Sequence, residues 1–571
     1  MTNEAFQNFS INFGEYQFSP FAPKTLAHVP YEQPIQRTSE LKRIFDLPRR
    51  DLTMDLAEEF ARLVTEEYRR PNGEMVLWPM QGAALAELAL YGRCFVPLGV
   101  GQGKALISLL APWMTDAERP LLIVPAELRD QTNEVVIPEM TDHWKLHPNL
   151  TVIGYSELQP LKNHYILDNL NPDLIILDEC HYLVNKKSGR SRRVIRWFEE
   201  HNTPCIAMSG TMLSRSVKDF AHIIGWTHRE GSPLPTKVSE LTRWAEALDI
   251  SKRAGRANSS AEGALRCFCR DDSETLASGF QRRLTETEGV VSSNSDKLKI
   301  PLVIRERTMD VPPIIMEHMK NLANTWTTPS GYECCEAVEV WAHMRELAMG
   351  FYYKWDPDAP DGWKSARKDY NTLVRERIRY SRGTMDTELQ VRRYMAKNEP
   401  SNAEYSNWME LKPTFKPNSV PVWLDYFVLD FCRDWLDNAD NGIIWVEQVC
   451  VGAALKKEIG LTYFGAGKKE ILYTKERKIA ASISSHRTGK NLQRFSNNLV
   501  LCPTSAGKVW EQMLGRTHRH GQAGKEVICD VLTHTPELYA SFQEALQNAK
   551  WIEESLGNLQ KINYAKIVKS N

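Results

Sequence analysis

Two regions of the chain alternate short apolar runs with stretches of helical periodicity. In the first, the runs are Cys94-Phe95-Val96, Leu121-Leu122-Ile123-Val124, Thr151-Val152-Ile153, Leu174-Ile175-Ile176-Leu177 and Cys205-Ile206-Ala207-Met208. Runs of leucine and β-branched residues with no polar face suit strands covered on both sides, and the helix-length segments between them supply the covering layers of a parallel sheet. This predicts an α/β domain over 72–228. Pro97 has no N–H to give a ladder, so the first strand is expected to stop at Val96. The alternation returns with Ile443-Ile444-Trp445-Val446, Leu461-Thr462-Tyr463-Phe464, residues 480–483, Leu499-Val500-Leu501 and residues 527–532, predicting a second α/β domain over 426–535. Between them, 229–425 carries helical periodicity in 316–326 and 337–349, joined by polar pieces such as Asp356-Pro357-Asp358-Ala359-Pro360-Asp361. That segment reads as a large, mostly helical insertion. Residues 1–71 read as an accessory segment and 536–571 as a helical tail. The predicted fold class is α/β, with two parallel-sheet domains separated by the insertion, and no short internal repeat is visible.

Length and composition narrow the function classes. At 571 residues the chain exceeds what one core serves, and 42% apolar with 25% charged residues is ordinary for a soluble globular protein. With a net charge of −1, any nucleic-acid surface must come from local clustering. No apolar stretch reaches membrane-spanning length, and the first 21 residues lack the basic start and apolar core of a secretory signal, so a cytoplasmic protein is expected. The eleven cysteines include no C-x-x-C spacing; structural zinc is not expected, and the thiols read as reduced, buried small hydrophobes.

The first candidate chemistry is Leu98-Gly99-Val100-Gly101-Gln102-Gly103-Lys104-Ala105, between an apolar run and the helical Leu106-Ile107-Ser108-Leu109-Leu110. Strand, glycine turn and helix in that order collect backbone N–H groups at one point. Gly99, Gly101 and Gly103 let the main chain approach a polyphosphate, and Lys104 adds a cation. Glycine turns are common, and this one lacks the Ser or Thr expected after the lysine. Upstream, in Leu77-Trp78-Pro79-Met80-Gln81, a Pro at a helix start with a Gln just inside it reads either as capping or, this close to the glycine turn, as nucleotide-base contact through Gln81.

The run 174–177 ends in Asp178-Glu179-Cys180-His181, at the strand edge where parallel sheets bind ligands. Asp178 suits Mg²⁺, and Glu179 suits orienting or deprotonating a water. Alone, such a tetrapeptide is a solvated strand end; downstream of a phosphate turn it reads as catalytic. In Gln512-Met513-Leu514-Gly515-Arg516-Thr517-His518-Arg519-His520-Gly521-Gln522, positions 512, 516 and 519 share one face if the segment is helical, with Gly515 allowing close approach and Gly521 ending the helix. This is either a solvated basic helix or a source of arginines for a γ-phosphate held by the other domain, a contribution of about 10³ to 10⁵ in rate.

With these elements in one chain, the sequence resembles superfamily II helicases of the DEAH type, and among them the Swi/Snf-type DNA translocases. Residues 77–81 resemble the family's Q motif, 99–104 motif I, Leu121-Leu122-Ile123-Val124-Pro125-Ala126-Glu127-Leu128 motif Ia, and Ile153-Gly154-Tyr155-Ser156-Glu157-Leu158 the next nucleic-acid motif. Residues 178–181 resemble motif II with Cys for the usual Ala, supported by Asn185 and Ser188, and Ser209-Gly210-Thr211 resembles motif III. Residues 443–446, Thr488-Gly489-Lys490-Asn491-Leu492-Gln493 and 512–522 resemble motifs IV, V and VI, in family order. The resemblance implies two RecA-like domains, ATP and Mg²⁺ as ligands, and DNA, preferentially double-stranded, as partner.

Residue by residue, it implies that Gln81 contacts adenine, that Gly99, Gly101, Gly103, Lys104 and Ala105 cradle the phosphates, that Asp178 holds Mg²⁺ and Glu179 the water, and that Arg516 and Arg519 meet transition-state charge. His181, Ser209, Thr211 and Gln512 fall at coupling positions; Arg129, Tyr155, Ser156, Thr488 and Gly489 fall where the family tracks a nucleic-acid backbone. Lys186, Lys187, Arg190, Arg192 and Arg193 form the densest basic cluster, read as a phosphate grip or a solvated face. Ala105 departs from the family pattern by removing a Mg²⁺-ligating hydroxyl, and Ser108 lies too far along the helix to replace it, so slow or metal-sensitive hydrolysis is expected. Gly465-Ala466-Gly467-Lys468 and Ala506-Gly507-Lys508 imitate phosphate turns without the following helix pattern. Gly350-Phe351-Tyr352-Tyr353-Lys354-Trp355-Asp356-Pro357 resembles helicase-like proteins of bacteriophages, implying a phage protein in host cytoplasm; its aromatics either stack bases or pack against the domains.

Overall fold

In the computed structural model the described residues are 38–210, 216–249, 263–292, 298, 300–381, 385 and 387–569. Strands β1 (Arg93–Val96), β2 (Pro120–Val124), β3 (Thr151–Gly154), β4 (Leu174–Asp178) and β5 (Cys205–Met208) form a parallel sheet in the order β1-β5-β4-β2-β3. Successive residues of each strand enter opposite cores, as the pleat requires. Phe95, Leu121, Ile123, Ile175, Leu177 and Ala207 pack on one face, and Cys94, Val96, Leu122, Val124, Ile176, Ile206 and Met208 on the other. The first strand ends at Val96, as Pro97 requires.

Both flanks extend this domain beyond 72–228. Helix Ser39–Asp46 places Leu41 and Ile44 in one core, and helix Met54–Tyr68 places Ala57, Ala61 and Val64 in the other. From the expected insertion, helices Val238–Leu248 and Leu276–Thr285 add Leu241, Trp244, Phe280 and Leu284, and the main chain at Gly289 and Val291 bonds to Phe95 at 2.7 and 3.0 Å. Their polar faces hide this role in the sequence, because only one apolar stripe of each helix covers the sheet.

The second sheet is parallel and seven-stranded. Its strands are β6 (Leu302–Arg307), β9 (Gly442–Val446), β10 (Tyr463–Phe464), β11 (Lys478–Ser482), β12 (Asn497–Val500), β13 (Val527–Leu532) and β14 (Lys566–Val568), in the order β10-β11-β9-β12-β13-β6-β14. Two of them lie outside 426–535: β6 comes from the segment expected to be helical insertion, β14 from the expected helical tail. β6 escaped the apolar-run pattern because Arg305 and Arg307 alternate with its buried residues. Arg305 Nε and Nη2 lie 2.8 and 2.7 Å from the Asp530 carboxylate, Arg307 Nε lies 2.7 Å from it, and Trp435 Nε1 donates to it at 2.8 Å. A fully buried carboxylate is held there only by being paired and hydrogen-bonded.

The rest of the insertion is mostly helical, with one antiparallel pair, β7 (Phe351–Trp355) and β8 (Ser419–Trp423). Helices Asp361–Tyr380, Glu388–Asn398 and Ala403–Leu411 bury Trp363, Tyr370, Val391 and Trp408 in a separate small core. Of the two readings of the β7 aromatics the structure shows packing: Phe351 is fully buried, and the Trp355 ring stacks on Tyr332 at 3.9 Å. Helix Pro536–Leu556 joins the two large domains, with Phe542, Ala545 and Ala549 in the second core and Trp551, Ile552 and Leu556 in the first. Among the described residues, no helix is long and apolar enough to cross a membrane.

Candidate active site

The first sheet presents the C-terminal ends of its strands to a cleft, the edge at which parallel sheets bind ligands, and the second domain faces it with the segments that lead into β12 and β13. After β1 the chain turns through Gly101 (φ +88°) and Gly103 (φ +74°), conformations that favour glycine, and starts helix Lys104–Met114. Lys104 is buried, and its Nζ donates to the carbonyls of Leu98 and Gly99, each at 2.9 Å. The ammonium is thus folded into the turn it would share with phosphates. Ala105 is exposed at the helix start. Ser108 Oγ donates to the Lys104 carbonyl at 3.2 Å inside the helix, so it does not replace the missing hydroxyl.

Gln81 caps its helix, the first of its two expected readings, and also ties that helix to the glycine turn. Its Oε1 accepts from Trp78 N–H at 2.8 Å, closing the start of helix Pro79–Tyr91, and its Nε2 donates to the Gly103 carbonyl at 3.1 Å. A Cβ on Gly103 would stand 2.1 Å from that Nε2, so only glycine fits against the amide.

At the end of β4, Glu179 adopts φ +51°, a left-handed conformation that is costly for a non-glycine residue and here turns its carboxylate back toward the cleft. Glu179 N–H donates to Asp178 Oδ1 at 3.0 Å. Ser209 Oγ, from the end of β5, donates to Glu179 Oε2 at 3.0 Å. His181 Nδ1 lies 2.9 Å from Ser209 Oγ and 3.2 Å from Glu179 Oε2. The ends of β4 and β5 therefore meet on one carboxylate.

The two acids are driven apart electrostatically. Burial pushes Asp178 up to about 7, the Glu179 charge acts in the same direction, and the Lys104 ammonium opposes both. For Glu179, burial also acts upward, but the His181 hydrogen bond, the Lys104 charge and the Ser209 hydroxyl outweigh it and hold the group below the usual carboxylate range. A carboxylate supplemented by water and phosphate oxygens is an ordinary Mg²⁺ environment, so Asp178 fits that ion even without a hydroxyl at 105.

The opposite wall is helix Gly507–Thr517. Gln512 and Arg516 are buried on it; Arg516 Nε donates to the Gln512 carbonyl at 3.0 Å and Nη1 to the Lys490 carbonyl at 3.4 Å. Burial pushes Arg516 down to about 10, Arg519 adds to the push, and Glu179 across the cleft opposes it; the guanidinium stays charged at neutral pH. The helix stops before Arg519, earlier than the sequence suggested, because His518 turns inward and places Nε2 2.8 Å from the Ile300 carbonyl. Arg519 thus lies in the following turn, held by Asn491 Oδ1 at 2.5 Å. Tertiary packing, and not a shared helix face, brings the two arginines together. The Arg519 Cβ is 3.8 Å from where a Gly101 Cβ would stand, and a Cβ on Gly515 would come within 2.6 Å of Val100 Cγ1.

The expected nucleic-acid positions divide. Arg129 and Ser156 are exposed, with Arg129 Nε 3.3 Å from Glu157 Oε1. Gly489 (φ +66°) abuts Leu128 of the first domain so closely that a Cβ would collide with Cδ2 at 1.8 Å, and Thr488 beside it is half-buried. Tyr155 departs from expectation: it is 1% exposed, stacked on Tyr182 at 5.5 Å, and its hydroxyl donates to the Asp178 carbonyl at 2.9 Å. It supports the main chain at Asp178 from behind. Thr211 lies outside the described residues.

In the basic cluster, Arg192 donates twice to the Lys187 carbonyl at 3.0 and 2.7 Å. Arg193 is buried and donates to the Pro160 carbonyl at 2.7 Å, and Arg190 lies over the Tyr182 ring; Lys186 and Lys187 are exposed. Of the imitation phosphate turns, Gly465 gives its carbonyl to His486 Nε2 at 2.9 Å, and Gly507 is a packing glycine whose Cβ would stand 2.8 Å from Ala549 N. Trp78, Asn491 and His520 stand in the quoted motifs without a role of their own, because the Trp78–His520 ring contact across the cleft and the Asn491–Arg519 pairing within the second domain have no local signature.

No protein-family model matches the chain. Over 150 residues it is 29% identical to the DNA annealing helicase and endonuclease ZRANB3 of Bos taurus and to that of Homo sapiens, matches covering 23% of this chain and 14% of each relative. The chain thus spans about a seventh of the length of the curated relatives it matches. This similarity supports a relation to the helicases.

Proposed function

We propose that the chain is an ATP-dependent DNA helicase or translocase that clamps a nucleoside triphosphate between its two parallel-sheet domains. The observation that carries this reading is the convergence of separate elements: Lys104 and the Asp178/Glu179 pair on one wall, with Arg519 against Gly101 and Arg516 within the field of Glu179 on the other. In this reading Lys104 exchanges the Leu98 and Gly99 carbonyls for β- and γ-phosphate oxygens. Asp178 holds Mg²⁺, which when bound neutralises charge on the phosphates. Glu179, kept ionised and aimed by Ser209 and His181, orients the attacking water and takes its proton. Arg516 and Arg519 stabilise charge on the transferred group from the opposite domain. Loss of the γ-phosphate removes what these arginines grip, so the Val100–Gly515 and Leu128–Gly489 seams loosen and the cleft opens. Arg129, Ser156, Thr488 and Gly489 at the rim then change their hold on a DNA backbone. DNA as the partner is supported by the relatives described as DNA annealing helicases. Tracking of duplex DNA over strand separation, and a bacteriophage origin with work in the host cytoplasm, rest on the motif resemblances alone.

Ala105 favours a second reading, an ATP-binding nucleic-acid scaffold with little turnover, because the Ser108 hydroxyl further along the same helix is bonded within it. Phosphate release with and without DNA separates the two. The motor reading expects DNA-stimulated release that Lys104→Ala abolishes; nucleotide binding without stimulated release supports the scaffold. Strand displacement measured beside triplex displacement then distinguishes unwinding from duplex tracking.

A further inference from the structure

Arg519 stands on a turn, and whatever fixes that turn fixes its guanidinium. The turn is pinned at both ends. At the far end Gln522 Nε2 donates to the Phe495 and Thr517 carbonyls, each at 3.0 Å. At the near end stands His518, buried, with non-helical φ −87° and ψ 83°. Its ring is wedged between two segments that lead into neighbouring strands of the second sheet. Nε2 lies 2.8 Å from the carbonyl of Ile300, just ahead of β6, and Nδ1 lies 3.4 Å from Nζ of Lys561, ahead of β14.

A carbonyl only accepts and an ammonium only donates, so the ring must donate from Nε2 and accept at Nδ1. Lys561 thereby selects the one neutral tautomer that holds the Ile300 carbonyl. Lys561 is itself buried and anchored: its N–H donates to Glu511 Oε2 at 2.7 Å, and Nζ donates to Tyr564 Oη at 3.0 Å. The short tail helix Lys561–Tyr564 thus grips helix Gly507–Thr517 at Glu511 and again at His518, just past its end.

We propose that Lys561 is a positioning residue for Arg519, which it holds in place by fixing the His518 tautomer and, through that ring, the turn that carries the guanidinium to Gly101. The proposal rests on the nucleotide-motor reading above and adds to it how the C-terminal tail sets one arginine of the second wall. Without the ammonium, Nδ1 loses its donor and is free to take the ring proton, and then Nε2 no longer holds the Ile300 carbonyl. Either way one buried acceptor goes unpaired, which favours relaxation of the turn. Arg519, whose Cβ is now 3.8 Å from where a Gly101 Cβ would stand, is carried with it. A misplacement of about 1 Å at a reacting centre costs about 100-fold in rate.

Three variants of the full chain test this. Lys561→Met keeps the stem and removes the charge; His518→Gln offers one donor and one acceptor, as the tautomer does; His518→Leu offers neither. In DNA-stimulated phosphate release, Lys561→Met and His518→Leu should lower kcat about ten- to 100-fold with KM for ATP within about threefold of the parent, whereas His518→Gln keeps kcat within about threefold. Added to Arg519→Ala, Lys561→Met should lower kcat by less than about twofold more, because both act through one guanidinium. Hydrogen exchange on nucleotide-free protein reads the same effect without turnover. The amides of 518–521 should exchange about ten- to 150-fold faster in Lys561→Met and within about threefold of the parent in His518→Gln, while those of β9 hold the parent rate. Parent kcat in Lys561→Met, losses that multiply in the double variant, parent exchange in the turn, or His518→Gln as impaired as His518→Leu each overturn the proposal. If Lys561→Met fails to fold, the two His518 variants carry the test. Parent protein that hydrolyses no ATP removes the motor reading, and exchange at 518–521 then decides by itself whether Lys561 fixes the turn.

Discussion

Placing a single methyl group at position 515 tests whether the observed closure of the cleft is the working one. A Cβ on Gly515 would lie 2.6 Å from Val100 Cγ1 and 2.9 Å from Val100 Cβ, with Lys561 Cε at an ordinary 3.7 Å. Carbon atoms rest about 3.5–4.0 Å apart, so Gly515→Ala requires the helix and the glycine turn to separate by about 1 Å. Overpacking of this kind costs roughly 1–3 kcal/mol. The two surfaces belong to different domains, so the strain is relieved by opening the cleft without disturbing either core. Within its own helix the substitution is favourable, by about 1 kcal/mol. Activity and stability should therefore move in opposite directions. In a DNA-stimulated phosphate-release assay, kcat/KM is expected to fall roughly five- to 150-fold, while the thermal midpoint holds or rises. Adding Val100→Ala removes the colliding methyl groups and should return activity to within about threefold of the Val100→Ala single variant. Unchanged activity in Gly515→Ala, or no recovery in the double variant, would refute the closed cleft as the catalytic arrangement.

Three further outcomes follow from the site. Ala105→Ser restores a hydroxyl at an exposed position beside the phosphates and should tighten Mg²⁺ dependence of turnover by about 10- to 100-fold, read as the Mg²⁺ concentration at half-maximal rate; no shift would mean that water already serves there fully. Asp178, raised to about 7 mainly by burial, binds its proton more tightly folded than unfolded, so its contribution to stability is present below its unfolded value near pH 4 and is lost as pH rises through about 7. Metal-free Asp178→Asn should accordingly melt higher than the parent at pH 8 and lose that advantage at pH 4; parallel melting curves across the range would contradict the assignment. Asn491→Ala releases Arg519 and should lower kcat about tenfold with nucleotide affinity little changed, and wild-type kcat in that variant would show that Arg519 is held by something else.

Much of the first wall of the candidate site was readable from local order. A glycine turn between a buried run and a helix, and a run ending in two acids, each specify a short-range geometry, and the structure places Lys104, Asp178 and Glu179 in one cleft. Less local features escaped that reading. Arg519 looked like part of a helix face because periodicity extends past the point where His518 turns inward, and helix length there is set by the Ile300 carbonyl, remote in sequence. Tyr155 sits in a motif associated with nucleic acid, yet its ring is buried against Tyr182.

By itself the sequence determined the two parallel sheets, most of their strands and the phosphate turn, because unbroken apolar runs and glycine spacing are properties of neighbouring residues. Only the tertiary structure decided that β6 and β14 complete the second sheet, that Asp530 neutralises the arginines of β6, and that one C-terminal helix serves both cores. It also decided which face of the second domain meets the glycine turn, since bare backbone at Gly489 and Gly515 acquires meaning only beside Leu128 and Val100. Pairing and close approach depend on partners far along the chain, and no local pattern encodes the partner.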